Sequence, residues 1–177
     1  MNRPLAITAL VPVLALLGAC GSSSTSHAAG KPSASPTAAA SKYNPCDKLD
    51  PAPVAKALGS GLKVNKGTAA NPRCALLPTT TGGAAYELNY MQFKGTLDEA
   101  WKTMKVDKGT VTSPKIAGAD SARLVVQQSD AAYVVTGFVQ NGSLIQSFNS
   151  VDLKPYDGAA MQRAATALLT ELSAEAA

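Results

Sequence analysis

The stretch from Ser121 to Leu153 constrains the fold most, because apolar and polar residues alternate along it around the dipeptide Asn141-Gly142. Asn-Gly is a strong signal for a two-residue turn between antiparallel strands. If Ser129-Asp130 forms a second such turn, the stretch is a three-stranded meander. Direct cross-strand partners share a face of a sheet. One face then collects seven apolar residues, namely Leu124, Val126, Tyr133, Val135, Val139, Leu144 and Phe148.

These two turns also predict the cross-strand pairs. Val135, on the central strand, should lie opposite Phe148 on one neighbouring strand and opposite Leu124 on the other. Gly137 should lie opposite Gln146. Asn149 should point to the other face, because side chains alternate along a strand. That other face is polar apart from Phe138, which the same register places opposite Ile145.

Helices and further strands are predicted before and after the meander in the chain. A short helix should start at the N-cap Asp50 with Pro51 as its first residue and end at Gly59. A second should begin at the capping box Thr96-Leu97-Asp98-Glu99 and run to about Val106, followed by a loop from Gly109 to Asp120. Shorter strands are predicted around 62–64, 74–77 and 85–93. A third helix over 158–173 carries the apolar stripe Met161, Ala165, Leu168 and Leu172.

This order of elements predicts an α+β domain over residues 43–177. Its sheet should be largely antiparallel and twisted, with the helices packed against one side and one disulfide. The disulfide is expected between Cys46 and Cys74, the default for a cysteine pair in an exported chain. The rival interpretation is a metal site, but two thiolates without a nearby histidine make a poor one.

The N-terminus has the features of an export signal. Arg3 precedes an apolar run from Leu5 to Leu17, which is shorter than the ~20 residues of a membrane-spanning helix. Residues 1–19 are therefore predicted to be a signal peptide. Residues 20–42 are rich in Ser, Ala, Thr, Gly and Pro, which predicts a disordered tether.

Two resemblances follow from these motifs. Leu17-Gly18-Ala19-Cys20 resembles the lipobox of bacterial lipoproteins, which implies lipidation of Cys20 and a lipid-anchored place on the extracytoplasmic side of a cell membrane. With the tether, the opening 44–49 and the second cysteine motif 71–74, the chain looks like a group of secreted actinobacterial lipoproteins of unknown function. The order of elements is also similar to the lipoprotein relatives of the PsbP-like fold.

Most enzymatic chemistry finds no support in the residue pattern. The only histidine is His27, in the predicted tether, so a histidine base or ligand is missing from the predicted domain. Ser-Lys chemistry survives in principle, and the adjacent carboxylates Asp98 and Glu99 fit a helix cap and a surface pair better than a glycosidase pair. The domain has 13 basic and 12 acidic residues, so nucleic acid is not an expected partner. No cofactor and no metal are expected.

The expected function is therefore that of a non-catalytic binding module for an envelope protein or a small apolar ligand. The alternatives are an envelope hydrolase using Ser-Lys or carboxylate chemistry and a structural subunit of an envelope complex. An aromatic pocket would favour a ligand, a flat patch at Phe138 and Ile145 a protein partner, and a buried lysine beside a serine an enzyme. The candidate pocket residues are Tyr86, Tyr90, Trp101, Tyr133, Gly137 and Gln146.

Overall fold

One antiparallel sheet of seven strands organises the part of the chain described by this computed structural model, residues 43–104, 106 and 108–176. The predicted signal peptide, the lipidation site Cys20 and the predicted tether lie outside the described residues. The helices are α1 Ala52–Leu58, α2 Leu97–Met104 and α3 Gly158–Glu175. The strands are β1 Leu62–Gly67, β2 Pro72–Pro78, β3 Ala85–Gln92, β4 Thr110–Thr112, β5 Ser121–Gln128, β6 Ala132–Asn141 and β7 Leu144–Leu153.

The strand order across the sheet is β1-β2-β3-β7-β6-β5-β4, and every neighbouring pair is antiparallel. The predicted α+β class is confirmed. The expected disulfide is also present: Cys46, just before α1, is bonded to Cys74 in β2 with a Cα–Cα distance of 5.4 Å. The predicted loop 109–120 is only partly a loop, because its start forms the edge strand β4 against β5.

The meander has the predicted faces but not the predicted pairs. Asn141 pairs with Leu144, so the turn is Gly142-Ser143 rather than Asn141-Gly142. The Ser129 N–H donates to the Ala132 carbonyl, which places the other turn at 130–131. Val135 consequently faces Ser150 and Val126, so both predicted partners of Val135 are wrong.

Each turn lies one residue later than predicted, which shifts every cross-strand partner by two residues. Because side chains alternate with a period of two along a strand, this shift leaves each residue on its predicted face. Phe148 is therefore buried and Asn149 exposed, as predicted. Gly137 pairs with Phe148 instead of Gln146, and Phe138 pairs with Ser147 instead of Ile145.

The side chain of Asn141 accounts for the displaced turn. Its Nδ2 donates to the Gly118 carbonyl at 2.8 Å and to the Ser173 hydroxyl at 3.1 Å, so it ties the loop after β4 to α3. Gly142 then takes the first central position of the turn at φ 58°, and its N–H donates to Asp120 at 2.7 Å. Glycine at this position is typical of a two-residue hairpin turn.

The main core lies between one face of the sheet and the helices α1 and α3. The whole predicted stripe of α3 is buried in it. Six of the seven residues of the predicted meander face contribute, while Leu144, the first residue of β7, is only half-buried. Gly59 ends α1 in the predicted left-handed conformation at φ 79°, and Asp50 accepts the Ala52 N–H at 2.9 Å, although the helix starts one residue later than predicted.

A second, smaller core lies on the opposite face of the sheet, so the prediction that all helices pack on one side is wrong. The predicted capping box at Thr96 starts α2, with Glu99 accepting the Thr96 N–H at 2.8 Å. Residue Val106 is not helical, whereas the helix was expected to reach it. The buried residues of this second core are Leu97, Ala100, Val125, Phe138 and Ile145.

Candidate functional site

The six candidate pocket residues do not line one pocket. Tyr86 and Tyr133 belong to the main core, whereas Trp101 lies on α2 beside the second core, across the sheet. Tyr90 sits at the end of β3, 36% exposed, with its ring edge-on to Tyr43 at 5.1 Å. The predicted aromatic pocket spanning these residues is therefore absent from the described part of the chain.

The space beside Gly137, a candidate pocket residue, is filled by the ring of Phe148. A Cβ atom added at Gly137 would lie 2.3 Å from Phe148 Cε1, so the glycine is needed for the ring to fit. Gln146 is fully buried, and its Nε2 donates to the Leu172 carbonyl of α3 at 2.6 Å. The sheet is therefore covered at Gln146 by helix α3, which occupies the place where a ligand would have to bind.

An apolar pocket of about 140 Å³ lies instead on the other face, beside the C-terminal end of α2. Met104 of α2, Met91 of β3, Phe138 and Ile145 supply most of its apolar surface. Met91 is 44% exposed, so one side of the pocket is open to solvent. The full lining is Asn89, Tyr90, Met91, Met104, Phe138, Ile145 and Ser147.

Helix α2, which bounds this pocket, is held by side-chain contacts to the sheet and by hydrogen bonds at its N-terminus. Arg123 of β5 lies over the Trp101 ring, 4.7 Å from Cζ to the ring centre, and its Nη2 donates to Asp98 at 2.6 Å. Trp101 in turn packs edge-on against Phe138 at 5.5 Å. Cation–π contacts contribute about 0.5–2 kcal/mol, so α2 is held by this stack as well as by its apolar face.

Gln140 fixes the start of α2, a role that the sequence pattern did not predict. Its Oε1 accepts the Leu97 N–H at 2.5 Å, and its Nε2 donates to the carbonyls of Gly95 and Gly142 at 2.6 and 2.8 Å. The sequence does contain one indication of this role. Gln140 is a polar residue at the end of the largely apolar β6, and buried amides are nearly always hydrogen-bonded.

The sheet face next to the pocket is polar and carries two side-chain pairs across adjacent strands. Arg73 of β2 forms an ion pair with Glu87 of β3. Thr136 of β6 donates to Asn149 of β7 at 2.9 Å. Glu87 and Asn149 are cross-strand partners, so the two pairs form one continuous row. The apolar pocket therefore lies beside a polar row on the same face of the sheet.

Two larger grooves are bordered by charged side chains, and several of these serve the fold. One groove, of about 500 Å³, lies between the loop after β4 and β5, where Arg123 pairs with Asp98 and Asp120 accepts the Gly142 N–H. The other, of about 550 Å³, is a shallow depression between α1 and α3 with Lys56, Asp157 and Arg163 at its rim. Asp157 is the N-cap of α3, accepting the Ala160 N–H at 2.9 Å.

The residues that Ser-Lys or carboxylate chemistry would use are placed as follows. Every lysine described is exposed, whereas a lysine that acts as a base is desolvated. No group of three His, Cys, Asp or Glu side chains that could hold a metal occurs in the described part. Of the adjacent acids, Glu99 is the predicted helix cap, and Asp98 pairs with Arg123 of β5 rather than with Lys102, the residue one turn further along α2. The one acid with a strongly raised pKa among the described residues is Glu175 at the end of α3, where burial raises the pKa to about 7.

Comparison with known proteins adds no relatives: no protein-family model matches the chain, and no curated protein matches it. Among the described helices, none has the length and apolar character to cross a membrane.

Proposed function

We propose that this chain is a lipid-anchored lipoprotein of the extracytoplasmic membrane face whose α+β domain is a non-catalytic binding module for a protein partner. The lipobox resemblance around Cys20 supports the anchor. The pocket between β3, β7 and α2 supports the binding role, and it is the observation that carries the proposal.

The size of the pocket favours a protein partner over a free ligand. Sites for drug-sized molecules occupy about 300–1,000 Å³, whereas this pocket has about 140 Å³. That volume accepts one apolar side chain. A partner would insert such a side chain between Met91 and Met104 and form polar contacts with the row from Arg73 to Thr136. Methionine side chains adapt their shape readily, which suits a pocket of this kind.

Cross-linking from Met91 tests this surface. A photoreactive phenylalanine analogue at Met91, in the full chain in its native membrane, is expected to capture a partner polypeptide because Met91 lies at the open side of the pocket. The same analogue at Thr170, exposed on α3, should not capture it. The adduct is measured by its mass and identified by peptide sequencing.

A pocket-filling variant separates specific capture from chance contact. Ser147→Phe places a ring into the pocket and should abolish the adduct. Val111→Phe adds the same ring at an exposed position of β4, 42% exposed, and should leave the adduct unchanged. An adduct that survives Ser147→Phe, or one that contains a small molecule instead of a polypeptide, would contradict the proposed partner class.

The anchor is tested by Cys20→Ala. Lipid transfer requires the thiol of this residue, so the variant should incorporate no labelled fatty acid and should accumulate as precursor or be released from the membrane. Any protein that is still cleaved lacks the acyl chains on which stable anchoring depends, so it should leave the membrane fraction. Labelled fatty acid in the Cys20→Ala protein would show that the lipid is not attached there.

A further inference from the structure

The segment before α1 is attached to the C-terminal end of α3 through one buried amide. The Tyr43 hydroxyl donates to Gln146 Oε1 at 2.5 Å, and Gln146 Nε2 donates to the Leu172 carbonyl at 2.6 Å. The Tyr43 ring also packs edge-on against Tyr90. Burial raises the pKa of the Tyr43 hydroxyl to about 12, so it remains a hydrogen-bond donor at any physiological pH.

Glu175, in the last turn of α3, lies next to this attachment in an unfavourable place for a negative charge. It is half-buried, and its Oε1 is buried without a hydrogen-bond partner among the described residues. The last turn of α3 contains no basic residue. The C-terminal end of a helix carries a partial negative charge, which disfavours a carboxylate there.

The charged and titratable groups around Glu175 come from two elements. Glu171 lies one turn earlier on α3, and Tyr43, Asp47 and Lys48 belong to the segment before α1. Glu171 and Asp47 repel a carboxylate at Glu175, and Lys48 attracts it. Burial is the main reason that the pKa of Glu175 rises to about 7, with Glu171 adding to the rise, Lys48 opposing it and Asp47 adding again.

We propose that Glu175 operates a latch: its neutral carboxyl keeps Tyr43 docked on Gln146, and its carboxylate releases Tyr43. The ionised side chain gains by turning towards water and away from Glu171, and this is easier when the neighbouring segment that carries Tyr43, Asp47 and Lys48 moves off the end of α3. The disulfide holds Cys46 to β2, so release is confined to the residues before it. Freeing residues 43–45 lengthens the chain leading to the domain by ~10 Å.

The direction of the pH response follows from the raised pKa. A carboxyl whose pKa in the docked state lies above its ordinary value holds its proton more tightly in that state than when released. The docked state is therefore favoured at low pH and loses this advantage as the pH rises to about 7. For a domain on the outer side of a membrane, the controlling pH is that of the surroundings.

Hydrogen exchange of the full chain tests the latch. At pH 5.5 the wild type and Glu175→Gln should show equal protection of the amides of Cys46 and Asp47, which both donate to Asn44. At pH 8.5 the wild type should exchange several-fold faster than Glu175→Gln, because glutamine stays neutral. Comparing the two proteins at the same pH removes the intrinsic pH dependence of exchange.

Two further variants complete the test. Glu171→Gln should move the midpoint of the wild-type response to lower pH, because it removes one repelling charge. Glu99→Gln, on α2, should leave the response unchanged. Equal protection of wild type and Glu175→Gln at both pH values, or a response that Glu171→Gln does not move, would overturn the latch.

Discussion

Phe148→Ala is expected to lower the free energy of unfolding by roughly 3–5 kcal/mol, the usual cost of truncating a buried aromatic ring. The ring is fully buried, edge-on to Tyr86 at 5.7 Å, and it fills the space above Gly137. A loss of this size is comparable with the whole stability of many domains, about 5–15 kcal/mol. Urea denaturation followed by circular dichroism measures it.

Asn149→Ala is the matched control, because Asn149 is the next residue along β7 and points to the other face. It is exposed and accepts one hydrogen bond, from Thr136 at 2.9 Å. Its loss should cost less than about 1 kcal/mol. A larger effect of Asn149→Ala than of Phe148→Ala would mean that the meander faces are exchanged.

Gly137→Ala tests the contact from the other strand. The added methyl group of the alanine would clash with the Phe148 ring, so the substitution alone should lower the free energy of unfolding by about 1–3 kcal/mol. In a Phe148→Leu background the clash is reduced, and the two costs should not add. Additive costs would show that the glycine is required for another reason.

The faces of the sheet could be predicted from the sequence, but the pairs could not. Hydrophobic alternation decides only which residues are buried, and a shift of two residues satisfies it equally well. What selects the register is the side chain of Asn141, which bonds to Gly118 and Ser173, 23 and 32 residues away. Contacts this distant leave no local signal.

The position of α2 was missed for a related reason. Phe138 and Ile145 were correctly assigned to the face opposite the main core, where they were the apolar exceptions. Two apolar residues on a polar face are equally compatible with an exposed patch and with a covering helix. The capping box at Thr96 predicted the start of α2 correctly, but its sequence does not say which face of the sheet it covers. The edge-on contact of Trp101 with Phe138 shows that α2 covers the face opposite the main core.

The candidate pocket was predicted from aromatic residues, and these divide between the two sides of the sheet: Tyr90 is part of the lining of the apolar pocket beside α2, whereas Tyr86 and Tyr133 lie on the other side. Tyr86 and Tyr133 fill the main core, which is the commoner role of aromatic residues at strand spacing. The lining of the apolar pocket beside α2 includes Met91, Met104 and Ile145. Two of these come from β3 and β7, whose pairing joins residues far apart in the chain.

Removing the disulfide by Cys46→Ala together with Cys74→Ala is expected to cost ~3.5 kcal/mol, from the chain entropy of the loop it closes. The two cysteines are 28 residues apart, and the loop between them contains α1 and β1. Helix α1 has only seven residues, far fewer than the ~12–15 that an isolated helix needs. Its position therefore depends on Val54 in the core and on the bond at Cys46.

Thermal unfolding measures this cost, and a domain of this size should lose roughly 10 °C in Tm. Reducing the wild type should produce a similar fall, while reducing agent should not change the double variant. Because the segment before β1 then lacks its covalent bond to β2, proteolysis in the double variant should begin there and leave the meander intact until global unfolding. A Tm within about 2 °C of the wild type would mean that packing around Val54 and Leu49, rather than the covalent bond, holds this segment on the sheet.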